Sequence, residues 1–212
     1  MSCAHCGMGA TKKGTFMSIE TFRNALKHDN SCIVIGGGEP TLHPLFWQIV
    51  MEAISNSEEG VWMATNGSQT DISLTLASLA KKGVLGVTLS LDDFHDPIDE
   101  KVIKAFVEPV LSYDLDKDRR EIRNVSGNLI KAGRCKEGKE GCICEDIIVK
   151  PSGDVRLCGC KNSPFIGNVN TGFRIPNNYM GDECYKNQKD FKLSEAMGIV
   201  DSYLTFPTEC RI

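Results

Sequence analysis

Residues 18–28, SIETFRNALKH, place Ile19, Phe22 and Leu26 at the three-to-four-residue spacing of one helical face. Ser18 stands where an N-cap belongs, its hydroxyl able to accept from an amide of the first turn. The next stretch, SCIVIGGG at 31–38, is a β-branched run closed by glycines, the pattern of a buried strand. Pro44 sits at a first helical position, and Phe46, Ile49, Val50, Ala53 and Ile54 follow at helical spacing. GVWMATNG at 60–67 predicts a second strand ending in a turn. Asp71 predicts the cap of a helix lined by Ile72, Leu76 and Leu79. VLGVTLSLDD at 84–93 predicts a third strand, and Pro97 opens a helix carrying Ile98, Val102, Phe106 and Val110.

Strand–helix alternation of this kind implies a parallel sheet with right-handed crossovers. No sequence repeat underlies it. From about residue 112 the pattern weakens: SYDLDKDRRE at 112–121 reads as a solvated loop or helix end. RNVSGNLIKAGR at 123–134 has room for one more strand. EDIIVKPSGDVRLC at 145–158 predicts a hairpin turning at residues 151–153. The chain is then polar until Leu193, Met197, Val200 and Leu204, which predict a final helix. The fold class is α/β, with a strand–helix layer over residues 1–131 and a small cysteine-rich extension over 132–212.

Composition narrows the function. A chain of 212 residues can bury one core plus a small appendage. A net charge of -4 leaves no basic field, so neither nucleic acid nor an anionic membrane surface is an expected partner. No apolar run reaches the roughly 18 residues of a membrane span, and no signal peptide opens the chain, so a cytoplasmic location is expected. Ten cysteines are many, and in a reducing compartment they suit metal ligation better than disulfides.

In parallel α/β folds ligands gather beyond the carboxyl ends of the strands, and the unusual residues of this chain fall there. The first predicted strand ends in Gly36, Gly37, Gly38, Glu39 and Pro40, the second in Thr65, Asn66 and Gly67, the third in Ser90, Leu91, Asp92 and Asp93. Each alone reads better as an ordinary turn than as a ligand site. Three such ends behind a CxxC formed by Cys3 and Cys6 predict a ligand site.

The succession CxxC, GGEPTLHP, ATNG and SLDDFHD resembles the radical S-adenosylmethionine (radical SAM) superfamily over roughly residues 1–100. The resemblance implies a partial (β/α) barrel, N-terminally truncated here, with a [4Fe–4S] cluster on a CxxxCxxC loop. Three thiolates there bind three irons, and the fourth iron takes the amino and carboxylate groups of S-adenosylmethionine (SAM). Cys3 and Cys6 match the second and third cysteines, and His5 the variable position near the adenine or cluster. Gly37, Gly38 and Glu39 match the GGE that meets the SAM amino group, and Thr65 and Asn66 lie at the next strand end. Ser90 and Asp92 match positions that meet the ribose or the methionyl carboxylate, a helix-capping turn being the alternative. No residue is singled out as a catalytic acid or base. The first cluster cysteine would fall two residues upstream of Met1, and the first barrel strand is also missing, so a fragment starting at an internal methionine is expected. An electron donor such as flavodoxin or ferredoxin is a further implied partner.

A second cysteine group resembles the opening of the SPASM and twitch extensions: Cys142, ten residues, Gly153, four residues, Cys158, with IGNV following at 166–169. That resemblance implies an auxiliary Fe–S cluster on Cys142, Cys158 and Cys160, with Cys135 and Cys144 able to contribute and Cys184 and Cys210 remaining. Structural zinc suits the same ligands. Cys32, inside a strand, reads as an inert core thiol. His43 reads as a cap-region residue, His28 as a helix-end residue, and His95 as a turn residue or a substrate contact. The implied activity is reductive cleavage of SAM to a 5′-deoxyadenosyl radical that abstracts hydrogen from a peptide or protein substrate. A non-catalytic scaffold holding zinc or Fe–S is the alternative, as is a binder of a nucleoside or amino acid without turnover.

Overall fold

The computed structural model describes residues 3–110, 116–127, 129–131, 133–139, 146–159 and 163–176. The chain divides into two compact units. Unit 1 comprises Met1–Ala4, Ala10–Lys12 and Asn30–Leu129, and unit 2 comprises His5–Gly9, Lys13–Asp29 and Ile130–Ile212. The first helix, α1 (Ile19–Leu26), belongs to unit 2. Among the described residues no helix is long and apolar enough to cross a membrane.

Unit 1 alternates β1 (Cys32–Ile35), α2 (Phe46–Asn56), β2 (Gly60–Thr65), α3 (Thr70–Lys81), β3 (Gly86–Ser90), α4 (Glu100–Val107) and β4 (Arg120–Arg123). The four strands form one parallel sheet in sequential order. Along β2, Val61, Met63 and Thr65 are buried while Trp62 and Ala64 are half-buried, the period-two alternation of a strand. Val50 and Ala53 of α2, Leu76, Ala77 and Ala80 of α3, and Val102 and Phe106 of α4 complete the core with Val87 and Leu89. Each fully buried aliphatic side chain contributes about 1.5–3 kcal/mol.

The fourth strand starts in the charged stretch and takes only its last residue, Arg123, from residues 123–134. Arg120 can enter a sheet because its side chain, 3% exposed, makes four hydrogen bonds within the protein. Nε and one NH2 group donate to the two Asp118 carboxylate oxygens at 2.9 and 2.7 Å, and further bonds go to the carbonyls of Ala105 and Glu108. A charged group is tolerated inside when it is paired with an opposite charge and most of its donors have acceptors. Ile130 forms only an isolated bridge to Lys139.

Three helix starts differ from the sequence pattern. Pro44 precedes α2, because a 3₁₀ turn at Pro40–Leu42 intervenes and His43 is extended, as a residue before proline must be. His43 Nδ1 accepts from the Leu45 amide at 2.9 Å, the cap-region role expected of it. Asp71 lies in the first turn of α3 and is not its cap; Gln69 holds that position without a side-chain bond. Pro97 lies in the loop before α4, which Asp99 caps by accepting from the Lys101 amide. Cys32 is also not an inert core thiol. It stands half-buried at the head of the outermost strand and is disulfide-bonded.

In unit 2, Ser18 caps α1 as its sequence predicts, accepting from the Thr21 amide at 3.0 Å. A four-stranded antiparallel sheet runs β5 (Ile148–Val149), β6 (Asp154–Arg156), β7 (Phe165–Asn168) and β8 (Gly172–Phe173). The expected hairpin joins β5 to β6, with Gly153 at φ +88 donating to the Lys150 carbonyl at 2.8 Å. Bonds from Asn168 and Ser152 hold the Asp154 carboxyl below its ordinary range. Val155, Leu157, Cys158 and Val169 are buried, and Asn24 of α1 donates to Asn170 at 3.1 Å. Cys142, Cys144, Cys160, Cys184, Cys210 and the expected final helix lie outside the described residues.

Candidate functional site

Parallel pairing puts the carboxyl ends of all four strands on one edge of the unit 1 sheet: Thr65 is in register with Leu89, and Ser90 with Arg123. The chain leaves β1 through Gly36, Gly37 and Gly38, all exposed. Gly37 adopts φ +128, a conformation that side chains rarely reach, and no atom lies within 4 Å of where a Cβ on Gly36 or Gly37 would sit. The backbone is therefore open to a ligand at this point.

Glu39 follows and turns inward, 8% exposed. Its Oε1 accepts from the Thr41 amide at 3.2 Å, the Thr41 hydroxyl at 2.7 Å and the Thr65 hydroxyl at 2.8 Å. Its Oε2 accepts from the Asn66 amide at 2.7 Å. The Thr65 hydroxyl in turn accepts from the Gly67 amide at 3.2 Å, and the Asn66 side chain accepts from the Ser68 amide at 3.0 Å. Gly67 has φ +74, and a Cβ there would press on Ile98 and Leu89 at 2.7 and 2.9 Å, so the turn after β2 is closely packed.

At the end of β3, the Ser90 hydroxyl accepts from the Arg123 guanidinium at 3.0 Å. The Asp92 side chain is completely buried. Its Oδ1 accepts from the Phe94 amide at 3.0 Å and faces His95 Nδ1 at 2.8 Å. Its Oδ2 is buried with no hydrogen-bond partner among the described residues. A desolvated carboxylate oxygen in that state is an acceptor waiting for a donor.

Of the residues singled out in the sequence, Glu39, Thr65 and Asn66 thus form one bonded network, Ser90 pairs with Arg123, and Asp92 with His95. Gly37 and Gly38 offer exposed main chain beside them. Cys3 and Cys6 are half-buried thiols outside any disulfide, the form from which thiolate ligands arise. In unit 2, Cys158 and Cys135 are free and buried, and the Cys135 thiol lies 3.0 Å from the Glu137 carbonyl. Arg123 escaped sequence reasoning. It is the last residue of a strand whose charged sequence hid it, and a basic residue at a strand end is the signal that would have found it.

A family model described as the radical SAM superfamily matches residues 1–113. No curated protein and no solved structure matches the chain.

Proposed function

The chain belongs to the radical SAM superfamily, and from that membership we propose an enzyme that holds a [4Fe–4S] cluster and SAM at the carboxyl edge of its parallel sheet. Such a cluster, reduced by an external one-electron donor, would supply the electron for reductive cleavage of SAM, the chemistry by which hydrogen would be taken from a substrate. Cys3 and Cys6 match two of the family's cluster cysteines and would bind iron as thiolates. The exposed main chain at Gly36, Gly37 and Gly38 lets the amino-acid end of SAM approach closely.

The observation that carries this reading is Asp92 Oδ2, buried and without a donor among the described residues. Leaving such an oxygen unsatisfied costs about 1–3 kcal/mol, and a ribose hydroxyl removes that cost. A carboxylate accepts and does not donate, so Asp92 suits the ribose and not the methionyl carboxylate. Arg123, tethered to Ser90, offers the fork of donors that a carboxylate takes in pairs. The substrate we assign is a peptide or protein, on the likeness of residues 142–158 to SPASM extensions.

Anaerobic reconstitution with iron and sulfide, followed by a dithionite-driven assay for 5′-deoxyadenosine, tests the proposal. Product is expected once a third cysteine, two residues before Met1, completes the ligand set, and Cys6→Ala in that chain is expected to lose the iron of this cluster and the product with it. Absence of SAM binding and turnover, with zinc in place of iron, would establish the non-catalytic scaffold instead.

A further inference from the structure

Glu39 has the sequence position from which the resemblance implies a contact to the SAM amino group, yet its carboxylate is engaged within the protein. Both oxygens accept, from four donors on two loops, two of them backbone amides. The group is buried with its principal partners, Thr41 and Thr65, at 4% and 1% exposure. Among the described residues no cation meets its oxygens. Its negative charge is held by dipoles alone, as a carboxylate is when several N–H and O–H groups converge on it.

We infer that Glu39 is a positioning residue: it ties the loop leaving β1 to the loop leaving β2, and by doing so fixes the strand-end surface on which SAM sits. The Gly36–Gly38 main chain and the Asn66 amide then keep their relative places whether or not ligand is bound. The chemistry explains why this residue is a glutamate. Glutamine presents one acceptor and one NH2, and the Thr41 and Asn66 amides approach different oxygens. Either orientation of a glutamine amide therefore sets a backbone N–H against an NH2 group. Aspartate, one methylene shorter, does not span the two loops.

The inference deepens the proposed function, and its first arm is independent of that function. Amide hydrogen exchange is measured on the ligand-free chain and on Glu39→Gln. The Asn66 or Thr41 amide is expected to exchange about tenfold faster or more in the variant, the loss of one charge-assisted bond, while amides in the middle of β2 and β3 keep their protection. Unchanged protection at both amides overturns the inference. In the second arm, SAM affinity is measured by equilibrium dialysis for wild type, Glu39→Gln, Thr65→Val and the double variant. Two members of one strut give non-additive losses, the double variant falling little below the worse single variant. Additive losses, or an unchanged SAM affinity in Glu39→Gln, also overturn it. Thr65→Val keeps the test open if Glu39→Gln folds poorly, since it removes one donor and leaves the carboxylate in place; it too is expected to weaken SAM binding. A wild-type chain that binds no SAM removes the proposed function, and Glu39 is then judged on amide exchange alone.

Discussion

Asp92 and Glu39 are both buried carboxylates at strand ends, and they differ in what remains unsatisfied. Asp92 Oδ2 has no donor among the described residues, so in the proposed function the consequence of replacing Asp92 falls on a ligand. Asp92→Asn is expected to weaken SAM binding by about ten- to a hundredfold, the value of a hydrogen bond to a charged group, with iron content unchanged; dialysis and iron analysis check this. Asp118 is the opposite case, a purely structural carboxylate. The side-chain bond from Arg120 holds its carboxyl below the ordinary range, and the same pairing raises Arg120, which stays charged throughout. A group with a lowered folded pKa stabilises the fold fully above its unfolded value, about 4, and loses that contribution as pH falls through the folded value. Denaturant midpoints of wild type and Asp118→Asn should differ by a constant amount above about pH 5. The gap should narrow progressively below about pH 4.

Elements show where sequence pattern suffices and where it does not. The first three strands and the hairpin at residues 151–153 were legible, because β-branched runs and turn residues sit where the backbone needs them. The fourth strand was hidden. Arg-Glu-Ile-Arg reads as solvated until the carbonyls of Ala105 in α4 and of Glu108, its C-cap, are brought to Arg120, a tertiary arrangement that no local window contains. Helix starts moved for a related reason: proline marks where a helix is allowed, while Asp99 and the 3₁₀ turn decide where it begins. At the site, the polar strand ends were legible as a set, but the inward turn of Glu39 was not, since it depends on an amide from another strand's loop. One pairing has a direct test. Gly86 of β3 is in register with Trp62 of β2, and the indole occupies the space a Cβ on Gly86 would need. Gly86→Ala should cost about 1–3 kcal/mol through overpacking, read as a lowered Tm.

At the scale of the molecule, the parallel sheet ends in two unlike edges. β4 presents arginine and glutamate, charges that discourage pairing with another chain. β1, Cys-Ile-Val-Ile, has none, and its Val34 is 62% exposed. Uncharged apolar edges are where sheets of different molecules join. Val34→Lys is therefore expected to reduce light scattering of concentrated protein while moving the denaturant midpoint by less than about 0.5 kcal/mol equivalent, as surface changes do. The net charge of -4 gives only modest repulsion between molecules, so this edge matters more than it would on a highly charged chain.

The pairing of Trp62 with Gly86 also gives the protein an optical reporter. The chain contains two tryptophans; Trp47 is 37% exposed, and Trp62 lies half-buried on the central strands. In a Trp47→Phe background, emission comes from one indole lying against a neighbouring strand's backbone. Its wavelength then follows the joining and parting of β2 and β3 in real time, without a label and apart from events in the antiparallel sheet.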